Sequence, residues 1–112
     1  PKIKGEVIET SDMVYTIFEN VGKLNVGDLA YSAQQYLARS LAELAIEKAL
    51  ELGVKHIGFS GGVACNEQIT LTIQRIVEDN GLNFVFHRAV PPGDGGTSFG
   101  QAIVACFKLG VQ

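Results

Sequence analysis

Two glycine-rich segments hold the residues of this chain best suited to chemistry. The first is Ser60-Gly61-Gly62-Val63-Ala64-Cys65-Asn66, directly after the apolar run Val54-Lys55-His56-Ile57-Gly58-Phe59. The second is Pro91-Pro92-Gly93-Asp94-Gly95-Gly96, just beyond Phe84-Val85-Phe86-His87-Arg88-Ala89-Val90. Each follows a predicted strand and precedes a predicted helix. Ligands of open parallel sheets sit outside the carboxyl ends of the strands. Bare backbone converging there suits a phosphate, because amide donors approach closely and a helix N-terminus favours an anion. The alternative for the Ser60 segment is a tight strand-to-helix turn with close packing and no ligand. Neither a G-x-x-x-x-G-K-[ST] loop nor a G-x-G-x-x-G fingerprint is present, so the chain is not read as a Walker-type or dinucleotide binder.

In the second segment, Pro91-Pro92 imposes extended geometry and removes two backbone donors, ending the strand sharply. Gly93, Gly95 and Gly96 permit positive φ on either side of Asp94. A carboxylate in so open a turn suits a hard metal ion or a hydroxyl. Equally, it suits a turn that bonds its own backbone or caps the next helix. Cys65 and Cys106 form no C-x-x-C pair and call for no disulfide. A helix N-terminus beside Cys65 could lower a thiol pKa, but both cysteines read more simply as small buried hydrophobes. His56 and His87 have no partner at metal-ligand spacing and read as structural.

The elements that must position these residues follow from periodicity. Ser11 or Asp12 caps a first helix carrying Met13, Val14, Ile17 and Phe18, stopped by Gly22. Asn25 with Asp28 resembles a capping box and opens a longer helix with Leu37, Leu41, Leu44 and Ala45 on one stripe, ended by Gly53. A strand runs from about Val54 to Phe59. Asn66 caps a third helix with Ile69, Ile73, Ile76 and Val77 on its buried face. Asn80-Gly81 ends it, and Phe84 to Val90 returns as a buried central strand. Thr97 or Ser98 begins a last helix with Phe99, Ile103, Cys106 and Phe107 inward. A polar lead-in, Pro1 to Glu9, holds a short extended piece at Val7-Ile8.

The result is an α/β chain: a βαβ unit with parallel strands and about four helices. Two parallel strands are too few for a sheet that wants both faces covered. Residues 1–112 are therefore expected to form a single partial domain of a larger one, prone to self-association through strand edges and uncovered apolar surface. With 46% hydrophobic and 19% charged residues the chain is not of the disordered class. A net charge of −3 leaves no basic footprint for nucleic acid or an anionic membrane. No apolar run reaches the roughly 20 residues of a membrane span, and the simplest address is cytoplasmic.

Ile57-Gly58-Phe59-Ser60-Gly61-Gly62-Val63, Asn66, His87-Arg88, the Val90 to Gly96 run and Gly100-Gln101-Ala102 together resemble the C-terminal end of the HypF carbamoyltransferases of nickel–iron hydrogenase maturation. The helix Leu37-Ala38-Arg39-Ser40-Leu41-Ala42-Glu43-Leu44-Ala45 fits as well, so the resemblance spans nearly the whole chain. The related tRNA threonylcarbamoyl transferases share the fold and a similar glycine loop. The resemblance implies a partial lobe of an actin-like, sugar-kinase-like ATPase fold with nucleotide bound between two lobes. It implies that Ser60, Gly61, Gly62, Val63 and Asn66 contact ATP or the AMP moiety of a carbamoyl-adenylate. Asp94 would help hold a divalent metal, and Gly95 and Gly96 would let backbone approach that site. The implied reaction passes a carbamoyl group to the C-terminal cysteine of the partner HypE, using the remaining domains of the same polypeptide. The family's H-x-x-x-H metal motif is absent here, and Ala33-Gln34 stands where relatives often have Phe-His. The isolated chain is therefore expected to be inactive. The alternatives are a non-catalytic nucleotide-binding or assembly module, or a fragment of a tRNA threonylcarbamoyl transferase.

Overall fold

The computed structural model describes residues 2–110; the Pro1 end of the polar lead-in lies outside them. A hairpin of β1 (Ile3–Lys4) and β2 (Val7–Ile8) leads into α1 (Ser11–Asn20) and the long α2 (Val26–Leu52). Then come β3 (His56–Gly58), a 3-10 turn (Gly62–Cys65), α3 (Glu67–Asp79), β4 (Asn83–Val85) and α4 (Asp94–Lys108). The expected βαβ unit is present. β3 and β4 pair in parallel, His56 with Asn83, Ile57 with Phe84 and Gly58 with Val85, and α3 is the crossover.

The core is a seam between α2 and α3. Ala38, Ala42, Ile46 and Ala49 of α2 meet Ile69, Ile73 and Val77 of α3, with Leu82 beside them. Ile57, Phe59, Ile76 and Phe84 pack against this cluster from the sheet side. Three alanines on one helix face let the axes approach closely enough for the branched side chains of α3 to fill the groove. The buried stripe of α2 is thus displaced by one position from the leucine stripe that its pattern predicts. Leu44 and Ala45 are half-buried, and Leu41 remains 39% exposed. Polar atoms inside the seam are paired. Gln35 Nε2 donates to Thr72 Oγ1 at 3.0 Å, and the Ser40 hydroxyl donates to the Tyr36 carbonyl at 2.7 Å.

Local signals account for the boundaries. Asn25 Oδ1 accepts from the Gly27 amide at 2.7 Å to open α2, and Gly53 closes it with φ +70°. Asn66 Oδ1 accepts from the Ile69 amide at 3.1 Å to open α3. At α1, Ser11 is already helical and its amide is held by the Glu9 carboxylate at 2.9 Å. The expected Ser11 or Asp12 cap is therefore replaced by an acidic side chain two residues upstream.

Three further expectations are corrected. The second strand stops at Val85, because β4 has one neighbour only and Val85 and Phe86 are 48% and 45% exposed. The last helix begins at Asp94, so Gly95 and Gly96 lie in its first turn and none of Gly93, Gly95 or Gly96 has positive φ. Finally, α4 buries no residue: Phe99, Ile103, Cys106 and Phe107 are exposed rather than inward. Cys65 is exposed too. Apolar periodicity correctly marks a helix there but carries no information about whether a covering element is present.

The radius of gyration, 17.5 Å, shows the same thing globally. A compact chain of this length would have about 13 Å. α1 also buries nothing, and its Val14, Tyr15 and Phe18 are exposed like the apolar residues of α4. Among the described residues, no helix is long and apolar enough to cross a membrane.

The β1–β2 hairpin is clamped to the helices by polar contacts. Lys2 pairs with Asp12, and Lys48 pairs with Glu6 at 2.6 Å and Glu51 at 2.8 Å. The Tyr36 hydroxyl donates to the Glu9 carbonyl. Bonding to Lys48 lowers the Glu6 pKa below its ordinary value, and Lys2 does the same for Asp12. Stability from a depressed carboxyl pKa is present above the unfolded value and lost as pH falls through the folded one. Acidification below the ordinary carboxylate range should therefore loosen the hairpin before the α2–α3 seam. Carboxyl and amide NMR titration checks this; simultaneous loss of both regions would contradict it. These exposed pairs should also weaken with added salt.

The seam itself can be tested with one residue placed at two adjacent positions. Ala42→Leu should cost about 1–3 kcal/mol by overpacking. Glu43→Leu, on the exposed face, should stay within about 0.5 kcal/mol. Denaturant melts of the two variants provide the comparison.

Candidate functional site

The two glycine segments meet. Gly61 N–H donates to the Pro92 carbonyl at 2.8 Å, and the Ser60 hydroxyl lies 3.5 Å from the same oxygen. A main-chain bond therefore stitches the loop after β3 to the loop after β4, at the carboxyl edge of the parallel pair. Gly61 has φ +102°, a region that side-chain-bearing residues rarely adopt. Ala64 N–H then donates to the Gly61 carbonyl at 3.0 Å and Asn66 N–H to the Val63 carbonyl at 2.9 Å, winding Gly62–Cys65 into its turn. Thr70 Oγ1 donates to the Ala64 carbonyl at 3.0 Å, fixing this turn to α3.

On the other side of the stitch, Gly96 N–H donates to the Gly93 carbonyl at 2.9 Å. A Cβ on Gly96 would fall inside the van der Waals shell of the Pro91 carbonyl oxygen, and one on Gly95 would press on the Pro91 ring. These two glycines serve close packing of the first turn of α4 against Pro91 rather than positive φ. The positive φ expected from sequence is thus replaced by a steric requirement.

Ser60, Gly61, Gly62, Val63, Asn66, Asp94, Gly95 and Gly96 all belong to this junction and the two helix starts beside it. The side-chain oxygen of Asn66 is engaged in capping α3. Asp94 is exposed on the first turn of α4. Calcium and magnesium take six or more oxygen ligands. Among the described residues no three His, Cys, Asp or Glu side chains cluster closely enough to hold an ion. Asp94 thus offers one carboxylate, and the described residues do not by themselves make a metal site.

Two cavities flank the stitch. One, about 420 Å³, is walled by Leu37, Leu41, Phe59 and Ile69 and floored by Ser60-Gly61-Gly62-Val63. The other, about 270 Å³, is lined by Phe84, Phe86, Cys65, Thr70, His87 and Pro92, with Phe59 shared between the two. The first combines apolar walls with bare backbone, a pairing typical of small-molecule sites. Leu37 and Leu41 as walls are not evident from the sequence, where they read as core. Their displacement from the buried stripe of α2 is the signal that could reveal them. A larger concavity of about 650 Å³ lies between α1 and α2 and includes no residue of either loop.

A family profile for the carbamoyltransferase Kae1-like domain, second subdomain, of HypF matches residues 1–101. The chain belongs to this carbamoyltransferase family. It is 37% identical over 111 residues to a probable carbamoyltransferase HypF of Methanocaldococcus jannaschii, covering 98% of this chain and 14% of that protein. The crystal structure of Thermococcus kodakarensis HypF superposes with a TM-score of 0.79 at 44% identity, over 96% of this chain and 14% of that one. A tRNA N6-adenosine threonylcarbamoyltransferase of Thermococcus kodakarensis is 33% identical over 73 residues, covering 65% of this chain and 21% of its own length. The chain thus spans a small part of the relatives it matches. The match to the HypF structure carries the mixed α/β fold class with it.

The stitch makes a direct prediction. Gly96→Ala should push Pro91 away and strip the Gly61 amide of its protection against hydrogen exchange. Gly100→Ala, in α4 with no atom near the added methyl, should leave that amide protected and favour the helix by up to about 1 kcal/mol. Equal protection in both variants would show that the stitch does not depend on Gly96.

Proposed function

We propose that this chain is the C-terminal portion of a HypF-type carbamoyltransferase domain and supplies half of a site for a carbamoyl-adenylate. The observation that carries the reading is the Gly61–Pro92 main-chain bond, which brings two backbone-rich loops and two helix starts to one sheet edge. The nucleoside lies along the apolar groove at Leu37, Leu41 and Phe59. The phosphate faces the Ser60-Gly61-Gly62 backbone, where the α3 and α4 dipoles favour negative charge. Asp94 faces the phosphate end as one ligand of a divalent ion completed by groups outside this chain.

A carbamoyl-adenylate is a mixed anhydride, so AMP leaves readily when a nucleophile attacks the carbamoyl carbon. The protein must grip the AMP portion, stabilise charge developing on the carbonyl oxygen and admit the acceptor. In this reading the acceptor is the C-terminal cysteine of HypE, and the isolated chain does not catalyse transfer. The HypF reading is favoured over the tRNA-modifying one because the HypF similarity covers 98% of the chain, against 65% and 79% for two tRNA-modifying relatives.

The test is AMP binding to the full-length protein by calorimetry, with Gly61→Ala as the variant. Holding a non-glycine residue in sparsely populated backbone costs of order 1–3 kcal/mol. If the loop relaxes to escape that cost, AMP affinity should fall about tenfold. Unchanged affinity would remove this loop from the nucleotide site.

A further inference from the structure

The two cavities beside the stitch have different chemistry. The groove at Leu37 and Leu41 is apolar with a backbone floor, whereas the smaller cavity carries Cys65, Thr70 and His87 on aromatic walls. We infer that the smaller cavity admits the acceptor of the acyl group and that His87 takes the acceptor's proton. This rests on the acyl-transfer reading above.

His87 follows β4 at the carboxyl edge of the parallel pair, beside the Pro91-Pro92 turn. His56, the other histidine, begins β3 and so lies at the opposite edge. The His87 Nδ1 lies 3.0 Å from the Val90 carbonyl oxygen. A carbonyl only accepts, so Nδ1 carries the proton and donates it there. In the neutral ring, Nε2 is then the acceptor, and the ring is oriented by a main-chain anchor three residues downstream. A second group that fixes tautomer and orientation is what a general base requires. Val90 leads directly into the Pro-Pro turn, so one backbone segment places both the histidine and the carbonyl that holds Gly61. Among the described residues, Cys65 is the only other ionisable side chain on these cavity walls.

The step balances without any further reactant. A thiol acceptor gives its proton to His87 Nε2, and its sulfur forms a bond to the carbamoyl carbon. The anhydride C–O bond breaks and AMP departs with the electron pair. The imidazolium then returns its proton to solvent.

Asparagine separates a base from a mere loop anchor, because its amide nitrogen can reproduce the Nδ1 bond to Val90 but offers nothing at Nε2. In the full-length protein, His87→Asn should bind AMP as the wild type does. It should slow single-turnover carbamoyl transfer to a thiol-bearing acceptor peptide at least about 10²-fold, in line with general-base contributions. The acid limb of the pH–rate profile should disappear with it. His87→Ala should regain transfer when imidazole is added, and His56→Asn, at the opposite edge of the sheet, should keep the wild-type rate. A His87→Asn protein with the wild-type rate and profile would overturn the inference while leaving the carbamoyl-adenylate reading intact. So would an equal loss of transfer in His56→Asn. Wild-type protein that neither binds AMP nor transfers the group would instead overturn the functional reading.

Discussion

Close approach of α2 and α3 is the constraint on which the rest of this structure depends. It is possible because Ala38, Ala42 and Ala49 present almost no side chain at the contact, while Ile69, Ile73 and Val77 present branched ones. The seam fixes the direction of α3, and so the place where its N-terminus meets the end of β3. The turn Gly62–Cys65 must then close within a few residues, which forces Gly61 into a backbone region open to glycine. β4 is held to β3 by three residue pairs, and its exit into Pro91-Pro92 delivers a carbonyl to the Gly61 amide. A junction assembled from main-chain groups is thereby set by helix packing some distance away.

Small residues on α2 have a second effect. Since alanines take the seam, the leucines next to them are released to other work. Leu37 and Leu41 turn toward the glycine loop and become walls of a groove beside it. One face of the helix therefore builds the core and the adjoining face builds the cavity. This division of labour is compatible with a long helix whose overall apolar pattern is weak, because its hydrophobic residues are spread over two neighbouring tasks.

Much of the fold can be read in the sequence. Strand, helix and strand follow from the apolar runs, Asn66 announces the start of α3, and Gly53 announces the end of α2. The convergence of the two glycine segments follows from parallel topology alone. What could not be read arises from non-local physics. Leu37 and Leu41 have the period of a core stripe, and the one-residue displacement depends on the shape of α3. Gly95 and Gly96 look like turn glycines, but Pro91 determines that they are needed for clearance inside a helix. Phe99, Ile103 and Phe107 have a buried pattern, and the sequence holds no separate mark for a face that this chain leaves uncovered. His87 is silent in the sequence because its anchor is a carbonyl, a group every residue possesses.

The unpacked state of α4 has a thermodynamic consequence for anything that binds at its start. This helix has no extended contact with another helix or strand, and it joins the body through the Pro-Pro turn and the stitch to Gly61. Its local opening free energy must lie well below that of the α2–α3 body, as expected for segments with few buried contacts. A ligand spanning Gly61 and Asp94 would draw together two parts of unequal stiffness. Part of its interaction energy would be spent on ordering α4, and the helix would gain that stability in return. Occupancy at the sheet edge and order along the helix would then be one equilibrium, observed from two ends.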